Sequence, residues 1–520
     1  MTAEESNTPL NPPTETTPLT RVHSLLVDSL PSKRIRISQV ACAMLWCLFA
    51  AGPVFGFAAL KPVLISEGIY EQYCPGEDKM CVERDLKLNN MFTIAAVVTN
   101  ATAFIVGRIL DTYGPRVTGI LGSFIIFFAG ALLANGSAIP YFDAYLFGYV
   151  LLAFGGPFVF ISCFQLANSF PGHSGLVLAL LTGSFDSSSA LFMFYRITYQ
   201  GGVVANFTLH KFFTAYLIVP VFIFLCQVFI MPHQSYKTVE TLAKISETGI
   251  DETGLPINAN DSRYGSEEVG QLERVRSHVS IQSSKSVYEE IADKQLSDKS
   301  GGLHNILNGK TVIEQLRTPW FLLMCFFTTI QMLRINYFLA TVRSQMEWYF
   351  NSPDVAVQIN KFFDIALPVG GVLSIPFIGL ILDNMKTLTT LTILLVVSTG
   401  IGLAGMSSLF SLQVTGICLL VVYRPFYYTA VSDYCAKVFG FKTFGTVYGT
   451  IICFSGICNM LQSVLDRMTH FTFNMDPNPV NLLLVSITVF FGGSLIWFVN
   501  GQEHNLKRQS VIQEAMGPSA

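Results

Sequence analysis

Apolar runs of roughly 20 residues, separated by short polar breaks, fill most of this chain, and a helix of that length crosses a bilayer. The pattern predicts about twelve spans. In the first half they fall near 38–60, 88–110, 117–135, 141–165, 173–196 and 210–231. In the second they fall near 318–342, 359–383, 387–408, 412–434, 443–466 and 480–500. Between the halves, over 232–317, apolar runs vanish, charge rises and serines cluster from Ser262 to Ser300. A segment that cannot bury apolar surface does not offset its ordering entropy, so 232–317 is expected to be a largely disordered linker. Residues 1–37, polar and rich in Pro and Thr, read as a disordered tail, and 501–520 as a short polar one. The expected protein is therefore an all-α polytopic membrane protein with a bundle of six spans at 38–231 and another at 318–500.

Composition agrees. Of 520 residues, 51% are hydrophobic and only 13% charged, about half the usual share of a soluble domain. Mean hydropathy is +0.48. A net charge of −3 gives no reason to expect a nucleic-acid partner. The polar start shows no cleavable signal, so the first apolar run acts as the membrane signal itself. Most of the 11 cysteines lie in apolar runs, where a thiol behaves as a small hydrophobe. Cys74 and Cys81 instead share a polar loop, where they either form a disulfide or remain two thiols.

One polar break occurs twice. Gly107-Arg108-Ile109-Leu110-Asp111 and Gly379-Leu380-Ile381-Leu382-Asp383 both read G-x-I-L-D, and both lead into a basic residue. The approaches agree too, Phe92-Thr93-Ile94-Ala95 in one and Phe363-Asp364-Ile365-Ala366 in the other. Internal duplication is how many transporters are built. Gly107 and Gly379 let helices approach closely. Gly114 supplies a turn conformation closed to other residues. Asp111 and Arg116 place opposite charges where they can latch neighbouring helix ends, and Asp383 repeats the acidic member. Basic residues Arg108, Arg116, Lys386, Lys437, Lys442, Lys507 and Arg508 all fall on one side, with Lys33, Arg34 and Arg36 before the first span; that side is expected to be cytoplasmic. Asn135-Gly136-Ser137 and Asn206-Phe207-Thr208 are then glycosylation acceptors on the other side.

An ionisable side chain inside a span is costly and marks a candidate site. Asp186, in Gly183-Ser184-Phe185-Asp186-Ser187, lies 12 residues into the fifth span, roughly 18 Å deep. Arg424 is about as deep in the tenth, followed by Tyr427 and Tyr428. Arg334 lies in the outer half of the seventh, beside Asn336. Asp364 sits near the outer end of the eighth. For each, an ion pair that only orients helices is the plain alternative, and for Asp364 it is the favoured one. Gln165 and Asn168 end the fourth span. Gly52, Pro53 and Gly56 interrupt the first ahead of Phe57, which either frees backbone for a polar ligand or serves close packing. An enzyme is not expected: the eight histidines fall in tails, loops or span ends, and H-E-x-x-H, G-x-S-x-G and a phosphate loop are all absent from the sequence. No metal-spaced Cys/His cluster occurs, and no cofactor is implied.

The doubled motif resembles the loop between the second and third helices of the major facilitator superfamily. Ser66-Glu67-Gly68-Ile69-Tyr70, Leu88-Asn89, Asp111-x-Tyr113-Gly114-Pro115-Arg116, Phe154-Gly155-Gly156, Gly183-Ser184-Phe185, Gly371-Val372-Leu373 with Pro376, and Phe444-Gly445 with Gly449 together resemble one branch, solute-carrier family forty-three. The likeness runs from about Ser38 to Asn500. It implies the major facilitator fold, two pseudo-symmetric six-helix bundles, working as a monomer by alternating access. It implies small-molecule substrates, neutral amino acids first, with purine nucleobases in one branch. The polar N-terminus suggests a fungal member, in the vacuolar membrane or the plasma membrane. Arg424 matches an arginine of that family, whereas Asp186 replaces a small neutral residue. Arg424 would then hold a substrate carboxylate, Asp186 or the Ser184 and Ser187 hydroxyls its ammonium, and Phe57, Tyr427, Tyr428 and Tyr448 its apolar part. Gln165, Arg334 and Asn336 are further candidates. A proton-coupled amino acid or nucleobase carrier and a non-transporting nutrient receptor are the alternatives.

Overall fold

The structure, a computed structural model, describes residues 31–74, 82–170, 173–201, 207–233, 235–236, 303, 306–307, 310–440 and 442–516. One compact unit, Lys33–Tyr236 with Lys299–Ala520, holds every helix below. Most of the 232–317 linker, the serine cluster included, lies outside the described residues, as do Cys81 and Asn206.

The first span is α1 (Lys33–Trp46), a wide turn and a tight turn, then α2 (Phe57–Ser66). The second and third form α3 (Val82–Ala134), and the fourth is α4 (Ala144–Ile161) with a turn over Phe164–Ser169. The fifth is α5 (Ser174–Ser187) with α6 (Ala190–Gln200), and the sixth α7 (Leu209–Tyr216) with α8 (Ile218–Phe229). After the short α9 (Val312–Leu316) come α10 (Pro319–Phe350), α11 (Pro353–Leu373) with α12 (Ile375–Asn384), and α13 (Thr387–Gly405). The tenth span is α14 (Phe410–Phe439), the eleventh α15 (Phe444–Cys458) with α16 (Leu461–Arg467), and the twelfth α17 (Asn478–Met516).

Among the described residues, eleven helical stretches are long and apolar enough to cross a membrane. One of them, Lys87–Ala134, has 48 residues, about 72 Å at 1.5 Å each and more than twice a hydrocarbon core. It breaks at Gly114, where φ is +83° and ψ 174°, and Pro115 restarts the helix. Counting that stretch twice gives twelve crossings. The turn falls where the sequence placed it. Arg116 then reaches across its own bundle: its Nε donates to Gln227 O at 2.7 Å, and its guanidinium meets Val228 O and His233. A cation thus sits on the carbonyl end of α8, where the helix dipole favours it.

Several spans run past their expected ends, α10 to Phe350 and α14 to Phe439, and the last helix continues through the expected tail to Met516. The final stretch of the linker is also structured. Thr311 and Glu314 cap α9 reciprocally, and those Thr311 hydrogen bonds hold the Glu314 carboxyl below the usual carboxylate range. Gln315 donates to Leu307 O and Phe439 O at 3.0 and 3.3 Å, tying α9 to the loop that ends α14.

The break in the first span serves packing. Tyr216 Oη donates to Phe49 O at 3.0 Å and Tyr149 Oη to Val54 O at 2.8 Å, so carbonyls near the interruption already have donors. Gly52 faces Phe185 and Ser188, and Gly56 faces the Ser189 carbonyl, closer than a β-carbon permits.

Candidate functional site

Two seams join the bundles. Along the first, α3 meets α15 through small residues: Gly107 abuts Gly445, Ala103 abuts Gly449, and Asn100 abuts Gly456. A methyl on Gly107 would collide with the Gly445 carbonyl. Along the second, α5 meets α11 and α12, with Gly183 against Gly371 and Ile375, and Gly379 against Leu176. Small residues let backbones approach where lipid offers no hydrophobic drive between helices.

Each seam ends at the basic face in a carboxylate. Asp111 accepts from Gly445 N at 3.0 Å and from Thr446 N and Oγ1 at 2.7 and 2.5 Å. Asp383 accepts from Gly175 N at 2.7 Å and Leu176 N at 3.2 Å. Each copy of the motif therefore caps the N-terminus of a helix in the opposite bundle, α15 or α5, where free N–H groups and the dipole attract an anion. The sequence pointed to these residues but not to their partners, because every donor except the Thr446 hydroxyl is backbone.

Between the seams, Asp186 on α5 faces Arg424 on α14, with Nε to Oδ1 at 3.7 Å. The side chains are 2% and 5% exposed, so the pair is sealed from solvent. Neither Asp186 oxygen, nor Arg424 Nε, has a hydrogen-bond partner. Ser187 Oγ donates to Pro368 O at 2.9 Å across the seam, and Ser184 Oγ to Leu180 O on its own helix. Phe55 lies under the Arg424 guanidinium at 5.9 Å. From there an aromatic layer crosses the interface. Phe55 meets Phe185 at 6.0 Å, Phe185 stacks on Phe160 at 4.4 Å, Phe160 meets Phe164 at 4.8 Å, and Phe164 touches Tyr448 at 5.5 Å. Phe444 stacks on Tyr448 and lies 5.8 Å from Phe164. The end of the fourth span and the start of the eleventh are thereby shut together between the charge pair and the basic face.

Residues 80–463 match the Major Facilitator Superfamily. The chain is 53% identical to Protein FMP42 of Saccharomyces cerevisiae over 91% of its length and 96% of that protein's. This chain belongs to the Major Facilitator Superfamily. At 24% identity it is similar to Equilibrative nucleobase transporter 1 of Bos taurus, covering 89% of this chain and 94% of that one. It is 24% identical to Large neutral amino acids transporter small subunit 3 of Homo sapiens, covering 92% and 96%. Its fold resembles the proton:xylose symporter XylE at a TM-score of 0.54 with 11% identity, covering 93% and 96%. The human organic anion transporter MFSD10 gives 0.55 at 11% identity, covering 89% and 100%.

In this facilitator not every candidate gathers at the charge pair. Tyr428 lies beside Arg424, and Tyr427 packs on Tyr428 at 4.8 Å while its hydroxyl donates to Thr328 O at 2.8 Å. Phe57 stacks on Phe92 at 5.5 Å and meets Tyr149 within the first bundle. Gln165 Oε1 accepts from Tyr236 N at 2.9 Å, and Asn168 Nδ2 donates to Tyr236 O, so both clamp the chain leaving the sixth span. Arg334 donates to Ser398 inside the second bundle, and Asn336 is half-buried beyond it. Cys74 is disulfide-bonded, whereas the nine other described cysteines are free. Asn135 is exposed, with its Nδ2 donating to Ala131 O. Nothing in the sequence marked Phe55, Phe160 or Phe164, and Phe185 entered only as part of the Gly183-Ser184-Phe185 motif, not as an interface aromatic. They are four of 43 phenylalanines, and no spacing separates interface aromatics from lipid-facing ones.

Proposed function

We propose that this facilitator carries neutral amino acids by alternating access, in the vacuolar or plasma membrane. One observation carries the reading: opposite charges, one from each bundle, meet in a sealed layer with the carboxylate's hydrogen-bonding capacity unused. A zwitterion matches that arrangement, with its ammonium on Asp186 and its carboxylate on Arg424, and the aromatic layer offers an apolar wall. The substrate would then join the bundles through the charges that otherwise pair with each other. The similarity to a large neutral amino acid transporter supports the class.

The second reading is a proton-coupled carrier, including of nucleobases. The same bare carboxylate favours it, since a buried acid with no fixed donors is free to take a proton. Purified protein in liposomes separates the readings. Tracer flux is measured for a panel of neutral amino acids and purine nucleobases, with and without an imposed pH gradient. Amino acid flux that Arg424→Gln abolishes, with no response to the gradient, is the expected result. Gradient-driven nucleobase accumulation would replace it with the second reading. Binding without flux would overturn both and leave a receptor.

A further inference from the structure

Arg334 poses a separate problem. It projects from α10 into the interior of the second bundle, among α13, α14 and α17, in cavities apart from the Asp186–Arg424 pair. Among the described residues no carboxylate lies within 4 Å of it. Its two hydrogen bonds are Nη1 to Ser398 Oγ at 2.9 Å and Nη2 to Ser398 O at 2.6 Å. The Ser398 hydroxyl in turn donates to Gln331 Oε1 at 2.8 Å. That chain uses the Ser398 and Gln331 acceptors and leaves donors over. Gln331 Nε2 is buried without a partner, and so is the Tyr423 hydroxyl; the two residues are 1% and 2% exposed. Gln331, Arg334, Ser398 and Tyr423 line one cavity of about 20 Å³.

A half-buried positive charge without a carboxylate partner, beside surplus N–H and O–H donors, is an anion's environment, because buried donors left without acceptors are costly. The space is too small for an organic solute. A second cavity, of about 40 Å³, shares Arg334 and runs past Gln345, Gln413 and Asn481. Gln345 is near the end of α10, Gln413 near the start of α14 and Asn481 near the start of α17, so their amides line a polar way in from the face opposite the basic one. Gly402 is shaped to the cation, since a methyl there would collide with Arg334 Nη2. We propose that the second bundle binds a small inorganic anion of chloride size between Arg334, Gln331 and Tyr423, as a fixed constituent separate from the transported solute.

The test uses the full chain purified in detergent. Its melting temperature is followed while sodium chloride replaces sodium gluconate at constant ionic strength. A bound anion that the unfolded chain does not hold raises the midpoint in a saturable way, by several degrees once chloride greatly exceeds its dissociation constant. Bromide should substitute and give an anomalous scattering peak beside Arg334. Tyr423→Phe removes one buried hydroxyl beside Ser398 and leaves the ring, so it should fold close to the parent and need at least fivefold more chloride for half the shift. Arg334→Gln should abolish the shift. Equal melting in chloride and gluconate, or a shift that Tyr423→Phe leaves unchanged, would overturn the proposal and assign the cavity to water.

Discussion

Asp111→Asn is the sharpest test of how this facilitator closes. The substitution preserves size and one acceptor oxygen, but it removes the charge and replaces the second oxygen by a donor. Three hydrogen bonds converge on the native carboxylate, all from residues at the N-terminus of α15. Bonds to a charged group contribute about 1.5–3 kcal/mol each before solvent competition in the open state is counted. The helix dipole adds about 0.3–1 kcal/mol. With one bond kept and water replacing part of the rest, a net loss of about 2–3 kcal/mol is expected, borne only by the state closed at the basic face. At 1.36 kcal/mol per factor of ten, the open-to-closed ratio rises roughly 30- to 150-fold. Nine of the described cysteines are free, so labels are better attached through ketone-bearing residues at Tyr113 and Lys442, both exposed near that face. Pulsed EPR then reads the population of the longer distance, and flux reads turnover. Substrate affinity should change little beyond the population shift. An unchanged distance distribution together with parental turnover would refute the latch. Asp383→Asn, with two bonds to lose, should shift the same ratio in the same direction by less.

Asp186→Asn separates three roles in one liposome assay. Lost gradient-driven accumulation with retained exchange means proton coupling, weaker affinity at every pH means ammonium binding, and poor folding that a second change at Arg424 repairs means an orienting pair. Parental behaviour on all counts would remove Asp186 from each. Gly183→Ala should hold the fifth and eighth spans apart and slow turnover at least tenfold, because its methyl would meet the Gly371 carbonyl and Ile375, whereas Gly493→Ala has open space and should be silent; equal flux in the two variants would contradict the seam. Replacing 240–300 with a flexible segment of equal length should keep flux per folded molecule, and complete loss with normal insertion would show that the linker takes part.

The spans and the doubled motif were legible because length, charge and glycine report directly on a bilayer. Facing was not. A crossing helix is apolar on most sides, so periodicity does not say which side meets the other bundle. Arg334 and Arg424 both stood out as arginines within spans, yet Arg424 faces the other bundle and Arg334 turns into its own. Phe57 followed a broken helix, a pattern shared by ligand sites and tight packing, and here Tyr149 and Tyr216 hold carbonyls near the break. The seventh span's end was short by eight residues at Phe350 because polar residues near the outer surface remain helical.

The two carboxylate caps carry a consequence for how the protein can vary. A lock between two side chains can be broken at either end and restored by exchanging the charges. Here the keyholes are peptide N–H groups, present whatever residue follows the turn, with the Thr446 hydroxyl as the one side-chain donor. Losing either aspartate therefore has no reciprocal repair at the far end, and a reversed pair cannot be bred by second-site selection. The opposing residues are also released from co-variation, except at Thr446, whose hydroxyl joins the cap, and where bulk intervenes at Gly445 and Gly175. Searches for revertants of an Asp111 variant should instead recover changes that weaken the opposite face, rebalancing the two ends of the same rocking motion.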